Sequence, residues 1–190
     1  MSALASAPFR FDYGRISLDL VSTVRRRQSS GIDLLTRPDD AARWLRAAQL
    51  VAGDVNPTEA QFRRLIHLRE AVYALCKAAL SGKRPGEADI AIINNTAARA
   101  SERLELDGQW RLHVRTVNLV ELAIARVAKD AAQMLGSPET RELLRGCEQD
   151  DCGTLFIDAS PGRRRRWCSM TRCGSRAKAK AFRKRHLQAT

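Results

Sequence analysis

Four cysteines near the C-terminal end follow the pattern C-x4-C-x15-C-x4-C: Cys147, Cys152, Cys168 and Cys173. Two close pairs of thiolates joined by a short spacer suit a tetrahedral zinc ion. Each pair delivers two sulfurs from one tight turn, and the spacer folds back to bring the pairs together. All four positions are sulfur, which leaves no open coordination position for a catalytic water. The sequence therefore predicts one structural zinc ion. Disulfide bonding is the other use of paired cysteines, and it belongs to oxidising compartments. Cys76 stands apart on the apolar stripe of a predicted helix and reads as a small core residue.

The residues from Cys147 onward also carry 11 of the chain's 33 lysines and arginines. Residues 141–190 hold 13 basic against 5 acidic side chains, a net +8, whereas the first 140 hold 20 against 16, a net +4. From Pro161 onward there are 11 basic residues and no acidic one. A surplus so localised points to an anionic partner, nucleic acid ahead of an anionic membrane. The candidate contacts are Arg163, Arg164, Arg165 and Arg166, then Arg172, Arg176, Lys178, Lys180, Arg183, Lys184 and Arg185. Arginine in the consecutive run favours nucleic acid, because a guanidinium grips phosphate bidentately and stacks on bases. The competing reading is a solvated strand whose alternation puts only two of the four arginines on each face.

Several function classes fall away. No apolar run approaches the ~18 residues of a membrane helix. Residues 1–9 lack a basic segment ahead of an apolar stretch, so no signal peptide is expected and the expected setting is the reducing cytoplasm. His67 lies off the apolar face of its helix, His113 alternates opposite Trp110 and Leu112, and His186 ends a basic helix. None has a partner at metal or triad spacing, so no enzyme is expected.

The elements that must position the cysteines are mainly helical. Phe9 to Val24 mixes strand-like alternation with helical spacing. Pro38 opens a helix to about Leu50. Asn56-Pro57-Thr58-Glu59 reads as a second start, with Asn56 as cap, and carries an apolar face from Phe62 to Ala79. A third helix spans about Gly86 to Ser101. Arg103 to Arg115 reads as a hairpin around Asp107-Gly108. A three-residue loop or a bulge would set Leu104, Leu106, Trp110, Leu112 and Val114 on one face. Asn118 with Glu121 caps a further helix, and Gly136-Ser137-Pro138 ends it and starts a short helix to about Arg145. Trp44 and Trp110 read as core aromatics, and Asn94-Asn95 as a surface feature.

In the tail, Thr154 to Asp158 reads as a strand, Ser160-Pro161-Gly162 as a turn and Arg163 to Trp167 as the returning strand. A helix follows the second cysteine pair to about His186. Knuckle, hairpin and then a helix leaving the second ligand pair make a treble-clef-like finger. With so few apolar residues, such a module needs its metal. The predicted fold is thus mainly α with small β elements (α+β). A helical domain with one hairpin occupies 1–140, and a basic zinc finger 141–190.

The stretch Asp151-Cys152-Gly153, Phe156-Ile157-Asp158, Ser160, Arg164 to Met170 and Cys173-Gly174-Ser175-Arg176 resembles the CGNR zinc finger. Leu18-Asp19-Leu20-Val21, Asp33-Leu34-Leu35, Pro38-Asp39 and Arg43-Trp44-Leu45 are similar to the opening of its usual N-terminal partner, the ABATE domain. Two positions depart from the pattern: Ser175 stands where the finger has asparagine, and Ser22 where the N-terminal motif usually has one. The resemblance implies a bacterial stress-response transcription regulator whose finger binds DNA. It leaves the larger domain to sense an unidentified small-molecule effector or to form a homodimer. The same basic finger would also serve an RNA-binding or ribosome-associated protein. In a ligand-binding or protein-interaction protein it would be only a scaffold.

Overall fold

The structure, a computed structural model, describes residues 9–99, 102–116 and 118–187; the side chains of 102–104, 114–116, 184 and 187 lie outside that set. It is mostly helical, with three two-stranded antiparallel pairs among the described residues. Helices α1 (Ile16–Val21), α2 (Pro38–Ala47), α3 (Glu59–Leu80), α4 (Glu87–Ala97) and α5 (Leu119–Gly136) surround one apolar core. None of the described helices is long and apolar enough to cross a membrane.

Capping fixes how the two longest helices meet. Thr58, not Asn56, caps α3: its hydroxyl accepts from Gln61 N (3.3 Å), and Gln61 Oε1 accepts from Thr58 N (2.8 Å). Pro57 thus precedes the cap instead of opening the first turn. Gln61 also donates to Asn118 Oδ1 (3.2 Å), which accepts from Val120 N and Glu121 N at the start of α5. The N-termini of α3 and α5 are therefore tied side by side, and Arg64 reinforces the tie on Glu121 (2.8 Å). Behind them Leu65, Leu68, Val72, Ile124, Val127 and Ala131 fill the interior with Trp44. Cys76 is in the same core, where burial pushes its thiol up to about 12 and leaves it inert.

A small hairpin unmarked in the sequence pattern follows α1: β1 (Val24–Arg25) pairs with β2 (Ile32–Asp33). Arg69 of α3, 3% exposed, holds it by gripping Asp33 through both terminal nitrogens (2.7 Å each). Arg27 in its turn grips Glu70 the same way (2.7 and 3.0 Å). Ser29-Ser30-Gly31 supplies the turn, with Gly31 at φ +60°.

The second hairpin, β3 (Glu102–Leu106) with β4 (Leu112–Thr116), pairs Leu106 with Leu112. Its loop is the five residues Asp107 to Arg111, organised by Asp107 Oδ1, which accepts from Gln109 N and Arg111 N. Trp110 therefore sits in the turn at φ +61°, not on a strand, and is 86% exposed. It is not a core aromatic, and Leu106 and Leu112 are exposed as well. The Leu104 and Val114 side chains lie outside the described residues.

Ser137 caps α6 (Pro138–Leu143), accepting from Thr140 N (3.1 Å). The chain then turns extended: β5 (Leu144–Gly146) pairs antiparallel with β6 (Leu155–Ile157). The strand expected over Thr154 to Asp158 is thus present, but its partner lies upstream. Arg163 to Trp167 form no strand. Burial decides the matter: Leu144, Leu155 and Phe156 can enter the core, and a run of four arginines cannot. β6 packs on the segment before α1, where Ile157 N donates to Tyr13 O (2.9 Å). Gly14 lets the backbones approach: at φ +89°, any Cβ there would sit 3.0 Å from Ile157 Cβ. Leu144, Leu155 and Phe156 thereby join the helical core, with Ile157 and Trp167 packed against it, whereas Met170 and Phe182 stay exposed.

Asp19 of α1 is buried in this region, accepting Tyr13 N (3.2 Å). Burial is the main cause that pushes its carboxyl up to about 7, with Asp12 and Asp130 adding repulsion. A raised carboxyl stabilises the fold most when protonated, and that contribution is lost as pH rises through about 7. Stability in urea is expected to fall from about pH 4, the ordinary carboxylate range, to about pH 7, by at most ~1.4 kcal/mol per pH unit, and to be flat in this respect above it. Asp19→Asn, which keeps the acceptor, is expected to remove that fall. An unchanged pH profile in the variant would contradict the assignment.

Candidate metal centre and basic surface

The first cysteine pair closes a knuckle after β5. Cys147 N donates to Thr154 O (2.8 Å) and Cys152 N to Gln149 O (2.9 Å). Gly153 follows at φ +68°, where a Cβ would lie 3.0 Å from Arg27 Cβ. That clearance lets Arg27 N donate to Cys152 O (3.2 Å), fastening the knuckle to the β1–β2 turn.

The second pair is set by one wide π-helical turn, Met170–Gly174, in which both Cys173 N and Gly174 N donate to Ser169 O (3.0 Å each). A Cβ on Gly174 would lie 2.9 Å from Met170 Sδ and 3.5 Å from Trp167, so a glycine suits this turn. Ser175, at the motif's asparagine position, bonds back to Met170 O (3.1 Å) and opens α7 (Ser175–Leu187).

The four sulfurs all lie within 4.8 Å of one another and are buried. Cys152, Cys168 and Cys173 are mutually 3.5, 3.6 and 3.7 Å apart. The edge of a zinc–thiolate tetrahedron with ~2.3 Å bonds is about 3.8 Å, so the cluster fits zinc. The same separations are far beyond the ~2.05 Å of a disulfide. Packed this closely, the thiols cannot titrate alike. Hydrogen bonding with Cys147, then with Cys168, draws Cys152 well below the ordinary thiol range. Sharing with Cys147 and Cys152 pushes Cys168 above it, and the Cys152 interaction pushes Cys147 up to about 11. A divalent cation satisfies all four as thiolates. The donor set holds one structural zinc ion.

Asp158 organises the loop between the pairs. It is fully buried; Oδ1 accepts from the Ser160 hydroxyl (2.6 Å) and amide (3.1 Å), and Oδ2 from Arg165 N (2.9 Å). Its carboxyl is held below the usual range, chiefly by the Ser160 hydroxyl. Arg165 consequently turns inward. It lies 4.5 Å from the centre of the Phe156 ring and donates to Trp167 O (3.0 Å) and to Cys168 O.

The eleven candidate phosphate contacts fall into distinct groups. Arg165 is committed to the ligand loop as just described. Arg166 pairs Glu148 (2.6 Å) and lies over Trp167. Arg172 pairs Asp12 (2.8 Å), Arg176 pairs Asp151 (2.9 Å) and donates to Cys173 Sγ (3.4 Å), and Lys180 pairs Asp150. Arg163, Arg164, Lys178, Arg183 and Arg185 are exposed, with no ion pair among the described residues. The Lys184 side chain lies outside the described residues. The acidic partners went unread in the sequence, although Glu148, Asp150 and Asp151 sit inside the first knuckle. His67, His113 and His186 are exposed, and His113 bonds Asp107 (2.9 Å).

A helical domain with a four-cysteine zinc finger folded into its flank is the class that this geometry defines. Residues 14–138 match the ABATE family, described as a "putative stress-induced transcription regulator", and residues 144–186 match the CGNR zinc finger. The chain belongs to the ABATE family and carries a CGNR zinc finger after that domain. No curated protein matches it.

Because β5 and β6 belong to the helical core, the metal is expected to support the whole chain. Elemental analysis should find one zinc per chain. Cys168→Ser should lose it and lower the melting midpoint of the helical signal by on the order of 10 °C. A variant that loses zinc and melts as the parent does would show that the core is independent of the metal.

Proposed function

We propose that the protein is a zinc-dependent, DNA-binding transcription regulator of the cytoplasm, with the finger as its DNA-contacting part. One observation carries the reading. The exposed cations Arg163, Arg164, Lys178, Arg183 and Arg185, without an ion pair among the described residues, project from a zinc-fixed scaffold in a stretch with no acidic residue after Asp158. Lys178 and Arg185 are seven residues apart, two turns along one side of α7, a spacing suited to following a phosphate backbone. Arg165 and Arg166 shape the scaffold in this account, and the exposed cations meet the phosphates. The helical domain is the part that senses or dimerises, in keeping with the regulator description of its family.

Neutralising about five phosphates gives a log-affinity against log-salt slope of roughly −4 to −5 on duplex DNA. Arg164→Gln and Arg185→Gln are each expected to make that slope shallower by about one. Arg165→Gln should instead lower stability. A slope near zero would reject the DNA reading. Preference for structured RNA over duplex in direct competition would move the function to RNA.

A further inference from the structure

A cleft of about 480 Å³ opens between the C-terminal ends of α3 and α5, beside α4 and with α6 at its edge. Its volume falls within the range of small-molecule sites. Leu75 and Ile93, both buried, form its floor, and the half-buried Ile90 and Leu135 its sides. The space exists because the facing residues are small: Ala79 on α3, Ala132 and Gly136 on α5. A Cβ built on Gly136 would meet nothing within 4 Å. The polar groups Lys83, Asn94 and Arg141 are all exposed and stand at the mouth, and no carboxylate is among the lining residues. Gly82, at φ +63°, ends α3 and lets Lys83 N donate back to Ala78 O (2.9 Å), which sets Lys83 at the mouth. Asn94 shares one side of α4 with Ile90, four residues earlier. Asparagine is a poor helix former, and a place at the mouth of a cleft gives it a reason to stand mid-helix. The Lys83 and Asn94 side chains have no hydrogen-bond or ion-pair partner among the described residues. Arg141 gives one terminal nitrogen to Leu135 O; Glu139, which feels its charge weakly, accepts from the Ser137 hydroxyl (2.7 Å).

We propose that this cleft binds a small amphipathic carboxylate, with its apolar body on Leu75, Ile90 and Ile93 and its headgroup at Lys83 and Asn94. The walls are aliphatic, with no aromatic ring among the lining residues, so they suit an alkyl body that gains by leaving water and offer a planar ring nothing to stack on. A cation and an amide without an acid beside them select an anionic head over a neutral or cationic one. One free lysine, with an arginine already part-used, suits a head of single charge. Such a ligand would touch α3, α4 and α5 together, and so could change how they pack. It supplies the ligand of the sensing part and rests on the regulator reading only for that role. Binding itself is measured without DNA, so its failure and the failure of the DNA reading are separate results.

The test uses the full, zinc-loaded chain and octanoate as probe, followed by methyl NMR. Octanoate is expected to bind saturably, one per chain, and to shift the methyl signals of Leu75, Ile90, Ile93 and Leu135. Octylammonium, with the same body and the opposite charge, should bind about tenfold more weakly or worse, and Lys83→Gln should weaken octanoate by a similar factor. Ala132→Leu, which fills the cleft, should abolish binding without lowering the melting midpoint. If Ala132→Leu fails to fold, the methyl map of the parent decides. Absence of saturable binding, or equal binding of octylammonium, would overturn the assignment. So would shifts centred on the exposed Leu106 and Leu112 of the β3–β4 hairpin or on Phe182 of α7, which would mean adsorption on exposed apolar side chains.

Discussion

Four sulfurs from two distant turns must meet within bonding distance of one ion, and much of the tail's architecture follows from that constraint. The wide Met170–Gly174 turn, the tight turn before Gly153 and the inward bend of Arg165 are local solutions to it. Each places a ligand or holds a ligand's backbone. The metal site is continuous with the fold: the sheet leading to the first cysteine buries Leu144, Leu155 and Phe156 in the helical core. The finger is a flank of the domain held by a metal, and its orientation is set by Tyr13, Arg27 and Asp12 of the other half.

That arrangement separates the basic residues by task. Exposed surface ion pairs contribute little stability individually, but the pairs on Asp12, Asp150, Asp151 and Glu148 fix where the cations point. These four pairs, with Arg165 bonded to the Trp167 and Cys168 carbonyls, spend five of the tail's positive charges on building the finger. What remains is a smaller set on α7 and on the loop after Asp158. A charge count overstates the binding surface, because it cannot tell a guanidinium tied to its own chain from one left for a partner.

The metal site was legible from spacing alone, since thiolate number and turn length are nearly sufficient to specify it. The helices were legible too, because their apolar stripes and caps are local. What escaped was non-local. Nothing near Thr154–Asp158 says that its strand partner is Leu144–Gly146 and not the arginine run; only burial in a core built by α1 and α3 decides that. Trp110 misled because an aromatic beside Leu112 looks like a strand residue, while the reach of Asp107 to Arg111 N makes a longer turn. Thr58 displaced Asn56 as cap because the capping box pairs a hydroxyl with Gln61 three residues on. The hairpin after α1 depends on the Arg69–Asp33 pair, residues 36 apart in sequence.

The central claim is that one zinc ion sits in an all-thiolate tetrahedron that anchors the finger. X-ray absorption at the zinc edge of the purified chain measures this directly. The expected result is a single shell of four sulfurs at about 2.3 Å. A shell mixed with nitrogen or oxygen, or no bound zinc, would contradict it.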